Sequence, residues 1–335
     1  MTLKLSYKAS AEQFAPQELL DLAVLAERAG FEGIWVSDHY QPFKHTDGHA
    51  PFSLSWLGAA TQRVEKATLG TSVLTPTFRY HPSIVAQAFA TLDRLAPGRM
   101  ILGIGTGESM NETPVTGMEW PEFKVRFARM KEAVELMRRL WKEDFVTYQG
   151  EHFQTRDVTL YDKPGGGAVP IYVGASGEVA ARFAGRVADG FICTSGKGME
   201  LYSEKLLPAV REGAEKAGRD YGSIVKTIEM KVSYDHDRSQ AMEDTKIWAP
   251  LALPAEDKAG VEDPRELERR AKGIEDQAHR RWLVSDKPDE HLEQLRPYLE
   301  LGFQELVFHS PTHDQARFIE LYGGEILPRL RERWG

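Results

Sequence analysis

The apolar and polar positions alternate between short strand-like runs and longer amphipathic stretches. Leu3 to Lys8 predicts a strand. Pro16 to Ala29 predicts a helix, with Pro16 near its start and Gly30 as its stop. Gly33 to Val36 and Ala67 to Val73 predict the second and third strands, and Ser83 to Leu95 a helix closed by Ala96-Pro97-Gly98. Met100 to Ile104 predicts the fourth strand. Over Glu122 to Trp141, the residues Phe123, Phe127, Met130, Val134, Met137 and Trp141 recur at alternating steps of four and three, which places them on one helix face. Residues 145–165 predict an inserted hairpin with its turn near Gly150. Gly165-Gly166-Gly167 is a turn and not a phosphate loop, because no helix start follows it. Ile171 to Val173, Gly190 to Cys193, Ile228 to Val232 and Leu306 to Phe308 predict strands five to eight, and Gln315 to Arg329 a closing helix.

Eight strands with intervening helices predict an α/β fold, a parallel (β/α)₈ barrel of the TIM type. Such a barrel needs about 250 residues, and the chain has 335. The surplus is expected as insertions before strand five and between strands seven and eight. The larger, residues 235–287, is charged, helical in pattern and expected near the barrel mouth. Residues 1–335 are expected to form one domain.

Composition narrows the function. No apolar run reaches about 18 residues, so no membrane span is expected. The first residues enter a strand pattern directly and lack the features of a signal peptide. Cys193 is the single cysteine, which leaves no internal disulfide and points to a reducing cytoplasm. Its apolar neighbours Phe191 and Ile192 predict a buried thiol. A net charge of −8 argues against nucleic acid as a partner. A small anionic ligand would need a local cluster of Lys and Arg.

In this barrel class, chemistry sits at the C-terminal ends of the strands. Strand two runs into Asp38-His39, strand three into "TSVLTPT", strand four into "GIGTGESMNE", and strand six into "TSGKG". His39 is suited to proton transfer near neutrality, or to orienting a loop. Glu108 follows a glycine-rich turn and is either a reacting carboxylate or a helix-start residue. Lys197 lies between two glycines, as an anion site or a solvated loop lysine. Asp38, His39 and Glu108 lack the second histidine or helically spaced carboxylate that a metal site wants, so no metal is expected.

"YKASAEQFAPQEL", "SDHYQP", "GHAPFSLSW", "LGTSVLTPTFRYHPSIVAQAFATL", "GTGESMNE", "WPEFKVRFARM", "DGFICTSGKG", "LPAVREGA" and "LVFHSPTHDQARF" together resemble the F420-dependent glucose-6-phosphate dehydrogenases of the bacterial luciferase-like superfamily. The resemblance runs nearly the whole length. It implies coenzyme F420 in the barrel mouth and oxidation of the C1 hydroxyl of a hexose 6-phosphate to a lactone, with hydride passing to C5 of the deazaflavin. It implies His39 and Glu108 as the acid/base pair, with Glu108 accepting the sugar proton and His39 as donor or ring-side partner. It matches Asp38, Ser72, Val73, Thr75, Thr106, Gly107, Asn111, Ser176, Gly177, Val179 and Ala180 to the cofactor, with a non-proline cis bond at Ser72-Val73. It matches Thr194, Lys197, Lys258 and Arg281, with Glu12 and Phe43, to the substrate. Two cations and a guanidinium suit a phosphate dianion. It also suggests a homodimer. The chain departs from the family at Phe43, where the family has Trp, and at Ala259, where the family tends to have His. The alternatives are another hexose 6-phosphate such as mannose 6-phosphate, and an FMN-dependent monooxygenase of the same superfamily, which has no need of a phosphate clamp.

Overall fold

The computed structural model describes residues 3–335. Its strands are β1 (Lys4–Ala9), β2 (Gly33–Val36), β3 (Thr68–Thr71), β4 (Met100–Ile104), β5 (Val146–Gln149), β6 (Gln154–Val158), β7 (Ile171–Gly174), β8 (Gly190–Thr194), β9 (Val225–Tyr234), β10 (Leu283–Ser285) and β11 (Glu305–His309). Strands β1, β2, β3, β4, β7, β8, β9 and β11 pair in parallel around a closed ring: β1 meets β11 at one seam and β8 meets β9 at another. This is the (β/α)₈ barrel that the alternating pattern predicts.

Each barrel strand divides its side chains between two environments, because successive residues point to opposite faces. Leu5, Tyr7 and Ala9 of β1 join the large core between barrel and helices. Trp35, Ile101, Tyr172, Ile192 and Val307 form a separate inner cluster. The inner rings fit because glycine faces them: a Cβ at Gly70 would press on Trp35, and one at Gly190 on Tyr172. Below that layer Glu305 accepts hydrogen bonds from Ser6 Oγ at 2.6 Å and Trp35 Nε1 at 2.8 Å, which satisfies buried polar groups inside the barrel.

β5 and β6 form the antiparallel hairpin, with a register shift between Val146 and Tyr148. Glu132 accepts the main-chain N–H groups of Glu151, His152 and Phe153 and so pins its turn. Residues 235–287 hold several short helical segments, and also β10, which lies parallel to Val232–Tyr234 of β9. A helical pattern alone did not indicate that strand.

Other differences have local causes. Helices Ser53–Arg63 and Ser109–Thr116 lie outside the predicted elements, although the second bears out a helix start at Glu108. Neither has a side-chain cap, and the second carries Pro114 inside it, so the usual start signals are missing. The closing helix runs from Gln315 to Leu321 and from Leu327 to Trp334, with a π-helical turn at Tyr322–Ile326 around Gly323-Gly324. Phe123, expected on the buried face of its helix, is exposed and stacks on Phe127 with ring centroids 5.6 Å apart. It is the first residue of helix Phe123–Lys142, while Met130, Val134, Met137 and Trp141 are buried as expected.

Candidate active site

A cavity of about 380 Å³ opens at the C-terminal ends of the barrel strands. Its wall takes Ser37, Asp38 and His39 from the end of β2, Ser72, Val73 and Thr75 from the end of β3, and Gly105 to Glu108 after β4. Ser176 follows β7, Thr194 ends β8, and Asn111, Glu12 and Phe43 complete the expected set in the wall. The short barrel strands all end here, which is why residues far apart in sequence converge.

His39 and Glu108 both line this wall. His39 Nδ1 stands 2.8 Å from Glu12 Oε1, while Glu12 Oε2 accepts from Ser37 Oγ at 2.9 Å. Burial works against the charged imidazole, but the Glu12 carboxylate and, beyond it, Glu108 outweigh burial and raise the pKa of His39. Glu12 shifts the other way: burial would raise its pKa, yet the charges of His39, Lys8 and His309 hold it well below the usual carboxylate range. The Phe43 ring meets His39 edge-on at 5.2 Å. Glu108 is the N-cap residue of helix Ser109–Thr116, and its side chain makes no capping bond. Asn111 ties the two halves together: its Oδ1 accepts the N–H groups of Tyr40 at 2.8 Å and Gln41 at 3.0 Å, and its Nδ2 lies 3.5 Å from Glu108 Oε2.

Asp38 is held from three sides. Ser53 Oγ and Tyr80 Oη donate to its Oδ1 at 2.6 and 2.9 Å, and Arg79 donates to its Oδ2 at 2.8 Å. The same guanidinium donates to Glu112 Oε1 at 3.1 Å. One buried cation thus serves two buried carboxylates and fixes the β2 loop against helix Ser109–Thr116.

The Ser72–Val73 peptide is cis. Val73 is packed so closely by the β4 and β7 ends that a Cβ at Gly105 would touch it at 2.8 Å and one at Gly174 at 3.2 Å. Gly107 has φ +86°, which suits glycine, and a Cβ there would meet Thr75 at 2.9 Å. Gly177 caps helix Glu178–Val187, with Val179 half exposed and Ala180 buried in its first turn. These three stand next to Ser176 but outside the cavity wall.

Lys197, Lys258 and Arg281 also lie outside that wall. They are nonetheless neighbours. A Cβ at Gly196 would meet the Arg281 carbonyl at 2.7 Å, so the Lys197 loop rests on helix Glu275–Arg281. Lys258 Nζ donates to Leu251 O at 3.2 Å, and Leu251 is in the cavity wall. Burial first, then repulsion from Arg281, lowers the pKa of both lysines. Arg281 Nε is buried without a partner among the described residues.

The motifs did not reveal the cavity floor. Lys8 donates to Ser72 O at 2.8 Å and pairs with Glu229 Oε2 at 3.1 Å; His309 Nδ1 lies 3.3 Å from Glu229 Oε1. Lys231 and Trp248 line the same cavity. A signal was present: in "LSYKAS" and "EMKVSY" charged and polar residues alternate with apolar ones, though both faces of a barrel strand are buried. The charged set is therefore the inward one.

The luciferase-like monooxygenase family profile matches residues 3–305. The chain is 58% identical over 330 residues to an F420-dependent glucose-6-phosphate dehydrogenase of Nakamurella multipartita, covering 98% of this chain and 97% of that one. It is 56% identical to F420-dependent glucose-6-phosphate dehydrogenase 1 of Rhodococcus jostii, covering 99% of both. A solved F420-dependent secondary alcohol dehydrogenase, in complex with an F420-acetone adduct, superposes with a TM-score of 0.91 at 33% identity, covering 97% of this chain and 98% of that one. The F420-dependent tetrahydromethanopterin reductase of Methanopyrus kandleri shares the fold at a TM-score of 0.80 and 24% identity, over 98% and 99% of the two chains. By this full-length similarity the chain belongs to the luciferase-like family, among the relatives named F420-dependent glucose-6-phosphate dehydrogenases.

Proposed function

We propose that the protein oxidises the C1 hydroxyl of glucose 6-phosphate to 6-phosphogluconolactone with coenzyme F420. The observation that carries the reading is the pairing of one cavity holding His39 and Glu108 with a cation cluster of Lys197, Lys258 and Arg281 beside it. The near-full-length relatives at 54–58% identity support it. A monooxygenase has no use for such a cluster.

The wall fits a flat ring. Val73 is pressed from the β4 and β7 ends, and Gly105 and Gly107 let the loop after β4 close on Val73 and Thr75. Asp38, Ser72, Val73, Thr75, Thr106, Gly107, Asn111 and Ser176 would hold the cofactor, with Gly177, Val179 and Ala180 at the start of the adjacent helix. When bound, F420 supplies the hydride acceptor.

The protein's own groups then manage the protons. Glu12 holds the Nδ1 side of His39 and favours the charged imidazolium, which leaves Nε2 as the edge not engaged by Glu12. His39 therefore acts as the proton donor and as a positive charge facing developing negative charge. Glu108, with no capping bond to its carboxylate, accepts the sugar hydroxyl proton. Thr194, Lys197, Lys258 and Arg281 hold the phosphate end, and Glu12 and Phe43 border the sugar. The unpartnered Arg281 Nε is a donor in need of an acceptor. The same reading places the protein in the cytoplasm as a homodimer, with residues 235–287 serving substrate binding.

The test is bleaching of oxidised F420 absorbance by purified protein. Glucose 6-phosphate, mannose 6-phosphate, fructose 6-phosphate and free glucose are run side by side, with FMN and NADP as cofactor controls. Rapid bleaching with glucose 6-phosphate and none with free glucose is the expected result. F420 binding without bleaching by any sugar would overturn the substrate.

A further inference from the structure

Lys231 lines the cavity and has no part in the roles given so far. It lies on β9 two residues after Glu229, hence on the same face, and is only 6% exposed. A residue so buried has little access to solvent except through the cavity, so its ammonium looks there for a partner. Glu229 is the carboxylate at hand, but its oxygens are committed. Oε2 takes Lys8 Nζ at 3.1 Å and Ser72 Oγ at 3.2 Å, and Oε1 faces His309 Nδ1 at 3.3 Å. Among the described residues no carboxylate lies within 4.0 Å of the Lys231 amine, and no acceptor lies within hydrogen-bond reach of it. The main chain, by contrast, is fixed: Lys231 N–H donates to Ser195 Oγ at 2.8 Å, which stations the residue against the Thr194–Lys197 loop.

Its charged surroundings come from every side. Glu229 attracts it, while Arg281, Lys8 and Lys197 repel it, and His309 of β11 lies beyond Glu229. Burial first, and then those cations, pulls its pKa down to about 8. In the strand order around the ring, β9 stands opposite β3, whose end carries Ser72, Val73 and Thr75. Its main chain ties Lys231 to the Thr194–Lys197 loop through Ser195, while Glu229, two residues earlier, reaches across the barrel to Ser72.

We propose that Lys231 is a further substrate-binding residue, a fourth cation that takes a phosphate oxygen of the sugar phosphate together with Lys197, Lys258 and Arg281. The inference rests on the hexose-6-phosphate reading above. A phosphate dianion offers more acceptor sites than three cations fill, and an amine that lines the cavity without an acceptor is the complement.

The test compares wild type with Lys231→Met and Lys231→Arg. The readouts are KM and kcat for glucose 6-phosphate, the competitive inhibition constant of inorganic phosphate, F420 affinity by fluorescence, and thermal unfolding. Lys231→Met is expected to raise KM and the phosphate constant about 10- to 100-fold, with smaller changes in kcat and F420 affinity, while Lys231→Arg recovers part of the loss. In wild type, KM should rise between about pH 7.5 and pH 9 as the amine loses its charge, and the variant should flatten that rise. Unmoved KM and phosphate constant, or a fall in kcat alone, would overturn the assignment. If Lys231→Met does not fold, Lys231→Gln takes its place, and an unmoved KM and phosphate constant in that variant overturns the assignment as well. Wild type that does not turn over glucose 6-phosphate would overturn the functional reading and this role with it. Active wild type with an unaffected variant would overturn this role alone.

Discussion

Glu12 is the residue that sets the charge of His39, through a 2.8 Å contact to its Nδ1. The pKa of His39 is raised, so its acid form persists above the usual histidine range and is lost as pH climbs through the raised value. Glu12→Gln removes the carboxylate, and the alkaline limb of kcat/KM is expected to move down by about 1 to 2 pH units. A pH profile of both proteins checks this; an unmoved limb would remove Glu12 from the role. Lys258→Ala is expected to raise the KM for glucose 6-phosphate with little change in F420 affinity, and an equal loss of both would sink the phosphate role. His39, Glu108, Lys197 and Asp38 could be picked out in sequence because loops with glycine, histidine and acidic residues break the apolar pattern. Lys8, Glu229, Lys231 and His309 were harder to find, because the alternation that carries the first three is also what a half-solvated strand shows. Only the closed barrel reveals that those residues face a common interior.

At the scale of elements, two contacts decide how the site is framed. Arg79 bridges Asp38 after β2 and Glu112 on helix Ser109–Thr116, and all three side chains are buried. Replacing Arg79 with Met strands two carboxylates away from water, and a loss of about 3–5 kcal/mol is expected in denaturant unfolding. Helix Glu178–Val187 packs on helix Leu207–Lys216 through paired glycines: a Cβ at Gly185 would collide with the Val210 carbonyl, and one at Gly213 with the Arg182 carbonyl. Gly185→Ala is expected to push the helices apart at a cost of about 1–3 kcal/mol and to weaken F420 binding through the Gly177–Ala180 turn. Unchanged stability together with unchanged F420 affinity would contradict it. The periodic helix Phe123–Lys142 was readable because four of its six marked residues are buried and Phe127 packs against the core as well. Ser53–Arg63 was not, since Ser53, Ser55 and Gly58 are weaker helix formers and packing supplies what propensity lacks.

At the scale of the whole molecule, one fully buried histidine adds to the response to acid. His291 is fully buried, donates or accepts at Ser285 Oγ and Tyr322 Oη, and has its pKa lowered to about 3. A histidine kept neutral in the fold contributes stability above its unfolded value of about 6.5, and that stability is lost as pH falls from there toward 3. Chemical unfolding across that range should therefore show stability falling with pH, and His291→Gln should flatten the slope. The ring topology also bears on how the site comes into being during synthesis. The floor joins Lys8, near the start of the chain, to Glu229 and His309, and the β1–β11 seam pairs Lys4 with Glu305. Contacts of such sequence separation form late and slowly. A nascent chain that has not yet delivered β11 holds neither that seam nor the His309 side of the floor. The Lys8–Glu229–His309 floor is thus complete only once β11 has closed the ring on β1.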